Sequence, residues 1–172
     1  MLTCSSSQFQ TDRLINTDGV LCAENTDIDE SYDIALRVSN DFREIFDVVR
    51  RSVREFFGAE RTGLELYLRE LPLTVGAFHK VGTNIIVMNR ALIGRVVESQ
   101  VAFNEMKSFV YNILLHEYLH SLGIYDEMEV RRLTYQISRE ALGEAHSATV
   151  LAKRGPWAIL NRGPASRGNQ WS

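Results

Sequence analysis

The sequence predicts an α+β domain in which long helices enclose a small, mostly antiparallel sheet. Two observations carry this. Apolar residues recur at three- and four-residue steps from Asp29 to Gly58 and again from Val101 to Leu122, the signature of helices with one buried stripe. Between those stretches lie short segments with strand-like alternation, punctuated by Gly and Pro. At 172 residues and 45% apolar the chain is long enough to bury one core without staples. The expected organisation is an N-terminal arm (1–27), a folded body (28–152) and an irregular C-terminal tail (153–172).

The arm is rich in Ser, Thr, Asp and Asn and shows little periodicity. Ile34, Val38, Phe42, Ile45, Val49, Val53 and Phe56 then form one stripe, predicting a single long N-terminal helix that ends at Gly58. "LELYLREL" (64–71) alternates Leu64, Leu66 and Leu68 against Glu65, Tyr67 and Arg69, as a half-buried strand does. "TVGAFH" and "NIIVMN" follow as strands joined through a turn at Gly82, and "RALIGRVVESQ" leads on with a short helix. Phe103, Met106, Val110, Ile113, Leu114 and Leu122 supply the stripe of a second long helix, with Gly123 as its left-handed stop. A C-terminal helix is expected from Glu127 to Ala152, with Met128, Leu133, Ile137 and Ala141 turned inward. The tail carries two Gly-Pro breaks, with Trp157 and Ile159 as anchors.

The chemistry sits in "HEYLHSLGIYDE" (116–127). Residues four apart share a helix face one turn apart, so His116 and His120 can aim two imidazoles at one divalent cation, as tetrahedral zinc demands. Glu117, beside the first histidine, is placed to take a proton from a metal-bound water. Zinc needs a third ligand while keeping one position open. Asp126 is the expected one, because a left-handed Gly123 lets the chain double back towards the metal. Glu127, Glu129, Glu140 and Glu144 are rival carboxylates, with His146 as an outside candidate. Four histidines in 172 residues make a chance H-E-x-x-H uncommon, and the apolar "FVYNILL" before it sets the motif on a buried helix, where unpaired charge is costly. His79 reads as a turn or surface residue. Tyr111, Tyr118 and Tyr125 can in principle stabilise an oxyanion, though packing is the simpler role for each.

H-E-x-x-H-x-x-G-x-x-D over 116–126 resembles the zinc signature of the metzincin metallopeptidases, in the form with aspartate as third ligand. The resemblance covers 11 of 172 residues. It implies a zincin-like fold, one Zn²⁺ held by His116, His120 and Asp126, Glu117 as general base, and a peptide or protein substrate. It also implies an edge strand before the metal helix, for which "NIIVMN" is the candidate, offering backbone groups to an extended peptide. The chain departs from the pattern downstream: Met128 is the only methionine after the motif, and a helix follows, as in the gluzincins, whose third ligand is a glutamate on a later helix. The expected activity is zinc-dependent peptide hydrolysis. The alternative is a noncatalytic zinc module that clamps helices or binds a partner, with an apolar patch near Trp157 and Ile159. Either terminal segment lying across the cleft would make the enzyme latent.

Several classes are disfavoured. A formal charge of -3 and a pI near 5.8 give no basic footprint for nucleic acid. Cys4 and Cys22 make no disulfide framework. No apolar run reaches the roughly 18 residues of a membrane span, and the first residues lack the charged and apolar regions of a signal peptide. Cytoplasmic location is the default expectation.

Overall fold

A computed structural model of the chain describes residues 24–160, with side chains from Ser31 onward. Its described elements are six α-helices and one three-stranded sheet. The helices are α1 (Glu24–Val38), α2 (Phe42–Phe57), α3 (Arg90–Glu98), α4 (Phe103–Ser121), α5 (Glu127–Leu142) and α6 (Ser147–Arg154). A short 3-10 turn, Pro156–Ile159, closes the described chain. The α+β class is as expected; most of residues 1–27, read as an arm, lie outside the described residues, and α1 already begins at Glu24.

The long N-terminal helix is two helices. Asp41 caps α2, its carboxylate accepting the Glu44 N–H at 2.9 Å, while the Glu44 carboxylate reaches back to the Asn40 N–H at 2.5 Å. This reciprocal pairing starts a new helix and resets the phase of the stripe. Tyr32 and Leu36 are buried in α1, whereas Ile34 and Val38, on the predicted stripe, are exposed. Gly58 ends α2 at φ +72°, its N–H on the Arg54 carbonyl.

α4 is the central element and packs against α1, α2, α5, α6 and the sheet. It is buried on nearly all sides, so its polar residues need internal partners. Asn112 Nδ2 donates to the Ala148 carbonyl at 3.0 Å, Ser108 Oγ to Asn104 at 2.9 Å, and Lys107 Nζ to the Arg37 carbonyl. Tyr111 and Tyr118 are wholly buried; their hydroxyls meet Ser52 and the Arg61 backbone, so neither faces the motif's solvent side. The expected C-terminal helix also divides. Gly143 (φ +82°) stops α5, and His146 caps α6 with its ring nitrogen on the Ala148 N–H. The first two residues assigned to the tail, Lys153 and Arg154, belong to α6.

The sheet is mixed. Its strands are β1 (Glu65–Arg69), β2 (Ala77–Lys80) and β3 (Ile85–Asn89), in the order β1-β3-β2. β1 runs parallel to β3 and β2 antiparallel. β3, the expected edge strand, is therefore central; one face of its apolar run, Ile86 and Met88, is essentially inaccessible, while Ile85 and Val87 on the other face are half-buried. The edge beside the motif helix is β2, which contacts α4. Buried Asn89 holds it there. Its amide nitrogen donates to the carbonyls of Leu71, Pro72 and Val75, and its oxygen accepts from Leu71, Ala91 and Leu92. Gly76 then passes so close to α4 that a Cβ would lie 3.2 Å from Ile113 Cδ1.

Candidate metal centre

α4 delivers His116 and His120 on one face at its C-terminal end, and their Nε2 atoms lie 3.1 Å apart. The helix stops at Ser121, Gly123 turns at φ +92°, and α5 begins four residues later. Nothing lies within 4 Å of a Cβ built at Gly123, so glycine is needed there for its backbone angle and not for space. The turn returns the chain to the histidines, as expected, but a different carboxylate arrives. Glu127 places Oε1 at 3.1 Å from His120 Nε2 and Oε2 at 3.4 Å from His116 Nε2. Asp126, the expected third ligand, is instead the N-cap of α5, its oxygen accepting the Glu129 N–H at 2.8 Å. Glu129 is bound to Arg132, Glu144 to Tyr135 and Lys153, Glu140 to Arg139, and His146 to Asp33. Among the described residues, His116, His120 and Glu127 form the one His/Cys/Asp/Glu cluster able to converge on an ion.

The donor set fits zinc. Four ligands at about 2.0–2.1 Å in a tetrahedron stand roughly 3.3–3.4 Å from one another; the two Nε2 atoms, 3.1 Å apart, are near that spacing, while Glu127 turns a different oxygen to each ring. The tautomer agrees. His120 Nδ1 lies 2.8 Å from the Ile124 carbonyl, which can only accept, so Nδ1 carries the hydrogen and Nε2 of the neutral ring is bare. Two imidazole nitrogens and a carboxylate are thus gathered at one point, a donor set that a divalent cation can use. Burial pushes His116 down to about 4 against the opposing pull of Glu127, which keeps its ring neutral near pH 7.

Glu117 sits beside this cluster and is 9% exposed. One carboxylate oxygen accepts the backbone N–H of His79, at 2.8 Å. Burial pushes the carboxyl up, with the His79 bond and His120 opposing. His79 is thus a strand residue whose main chain holds Glu117, while its Nε2 meets the Thr83 carbonyl at 3.0 Å. Sequence reasoning missed that role because it belongs to the backbone. The pairing of Asn89 N–H with the Gly76 carbonyl fixes the alternation along β2, so Ala77 and His79 turn their N–H and C=O groups away from β3.

A cleft of about 650 Å³ opens on the site. Gly76, Ala77, His116 and Glu117 form one side, and α5, the end of α6 and Trp157 form the other. Met128 is 73% exposed in this cleft and not beneath the cluster, so it makes no methionine turn. Tyr125 is exposed and does not line the cleft. Comparison of the chain with protein-family models, curated proteins and solved structures finds no match in any of the three.

Proposed function

We propose that this chain is a zinc-dependent metallopeptidase, with His116, His120 and Glu127 as ligands and Glu117 as general base. The observation that carries the reading is the convergence of two imidazole Nε2 atoms, 3.1 Å apart, and the Glu127 carboxylate, which turns one oxygen to each ring, with His120 oriented from behind by the Ile124 carbonyl. A bound Zn²⁺ would supply Lewis-acid polarisation of a carbonyl and acidification of a water. The chain's own groups do the rest. Glu117, with one oxygen held by the His79 N–H, has its other oxygen available to accept a proton from the attacking water and return it to the leaving amine. The raised affinity of its carboxyl for a proton suits that exchange. Ala77 offers an outward N–H and C=O in the cleft, to which an extended peptide can pair as an added strand.

Three protein donors on the rim of an open cleft favour this reading over a noncatalytic zinc clamp, which calls for four ligands in a closed site. With Glu127 as ligand, the likeness to the metzincin signature rests on His116, Glu117, His120 and Gly123 alone. The test is a pair of measurements on zinc-loaded protein. Glu117→Gln should keep one zinc by metal analysis and lose peptide hydrolysis by a factor on the order of 10²–10⁴. Undiminished turnover in that variant, or wild-type protein that takes up no zinc, overturns the proposal.

A further inference from the structure

Four cationic side chains line the cleft: Arg131, Arg132, Lys153 and Arg154. Two of them are already balanced. Arg132 forms a two-pronged pair with Glu129, at 2.7 and 2.9 Å, and Lys153 pairs with Glu144 at 3.3 Å. Arg131 and Arg154 have no ion-pair partner among the described residues. Their position is informative because the protein as a whole is acidic, with a formal charge of -3. Arg131 lies on α5 one turn beyond Glu127, so the two share a helix face. Arg154 ends α6 on the same wall, just before Gly155 turns the chain at φ +90° into the segment bearing Trp157. The carboxylates lining the cleft are Glu117 and Glu127, and each has its own partners: the His79 N–H for one, the imidazoles for the other. A bound divalent cation would offset both, leaving two arginines uncompensated.

We infer that this cleft selects polypeptide segments carrying acidic side chains, and that Arg131 and Arg154 determine the selection. The inference rests on the peptidase reading, whose substrate class it specifies. Arginine suits the task, since its planar fork pairs with a carboxylate through two parallel hydrogen bonds. Exposed Met128 and Trp157 beside them give the aliphatic parts of such a segment an apolar surface.

The experiment measures binding apart from turnover. Three decapeptides alternate Ala with Glu, Gln or Lys, are acetylated and amidated so that no terminal charge contributes, and carry one neutral fluorophore. Their affinity for the zinc-loaded Glu117→Gln chain is read by fluorescence anisotropy at low and moderate salt, and their cleavage is followed with wild type. A Gln peptide with a free C-terminus is the fourth arm. The Glu peptide should bind at least ~10-fold more tightly than the amidated Gln peptide, with the margin shrinking as salt rises. The Lys peptide should bind most weakly. Arg131→Glu/Arg154→Glu should remove or reverse the preference at unchanged zinc content and helical circular dichroism. Equal binding of the Glu and Gln peptides, or a preference that survives the double reversal, overturns the inference. So does a free C-terminus that alone reproduces the gain, since the arginines would then read a terminal carboxylate. Equal cleavage of all peptides without arginine dependence removes the inference and leaves the peptidase standing. Arginine-dependent binding of the Glu peptide without cleavage removes the peptidase and leaves the acidic selection.

Discussion

Asp126 and Glu127 are adjacent and chemically alike, yet the start of α5 gives them different partners. The N-cap position has extended backbone, and its short side chain folds over the first turn, so Asp126 satisfies the Glu129 N–H. Glu127, one residue on, points back over the preceding turn and reaches both imidazoles with its longer arm. Asparagine caps about as well as aspartate, which separates the two roles cleanly. Asp126→Asn should keep zinc affinity within about threefold, whereas Glu127→Gln should weaken it on the order of tenfold or more, read by competition with a chromophoric chelator. The opposite ranking would return the ligand role to Asp126. The two histidines and Glu117 were legible in the sequence because helix geometry alone places residues 116, 117 and 120. The carboxylate that joins the histidines was not, because Asp126 and Glu127 are neighbours and which of them caps the helix depends on how the turn enters α5.

At the scale of elements, the α4–Gly123–α5 turn is what makes the site. A side chain at φ +92° costs about 1–2 kcal/mol. Gly123→Ala should therefore lower the urea midpoint, and it should also reduce zinc affinity, because the turn carries Glu127 and the Ile124 carbonyl that orients His120. A variant with wild-type zinc affinity would show that α5 is positioned by its packing on α1, α2, α4 and α6 alone. The two long helices that the periodicity joined came apart at signals present in the sequence. Asp41 with Glu44 three residues on is a capping pair, and Gly143 followed by His146 is a stop and a restart. Periodicity overrode them because three- and four-residue apolar spacing can be traced by chance across a break that resets the phase. Ile34 and Val38 show the cost of that reading: they fit the stripe and face solvent.

Taken as a whole, the molecule wraps its helices about α4 and leaves one side of that helix's C-terminal end to the cleft. Away from the cleft, α1, α4 and α6 meet at His146, whose ring faces Asp33 at 3.3 Å, with Arg37 and Lys107 lining the same recess. Burial lowers His146 below its ordinary value near 6.5, with Asp33 opposing. The unfolded chain then binds more protons at this site than the folded one as pH falls through 6.5, so stability is full above that value and declines on acidification. His146→Asn, which retains a capping oxygen, should shrink the loss of urea midpoint between pH 7.5 and 5.5; an unchanged slope would assign the acid sensitivity elsewhere. Among the described residues no helix is long and apolar enough to cross a membrane.

The sequence by itself determined the α+β class, the strand segments, the buried motif helix and the convergence of His116, His120 and Glu117 at its end. These follow from local periodicity and from the fixed rise and turn of a helix. Tertiary structure decided the rest: that β2 and not β3 is the sheet edge beside the motif helix, that the main chain of His79 holds the Glu117 carboxylate, and that Glu127 and not Asp126 reaches the two histidines. Each depends on groups distant in sequence or on competition between neighbours for one partner, and spacing along a chain does not encode which contact forms when the elements pack.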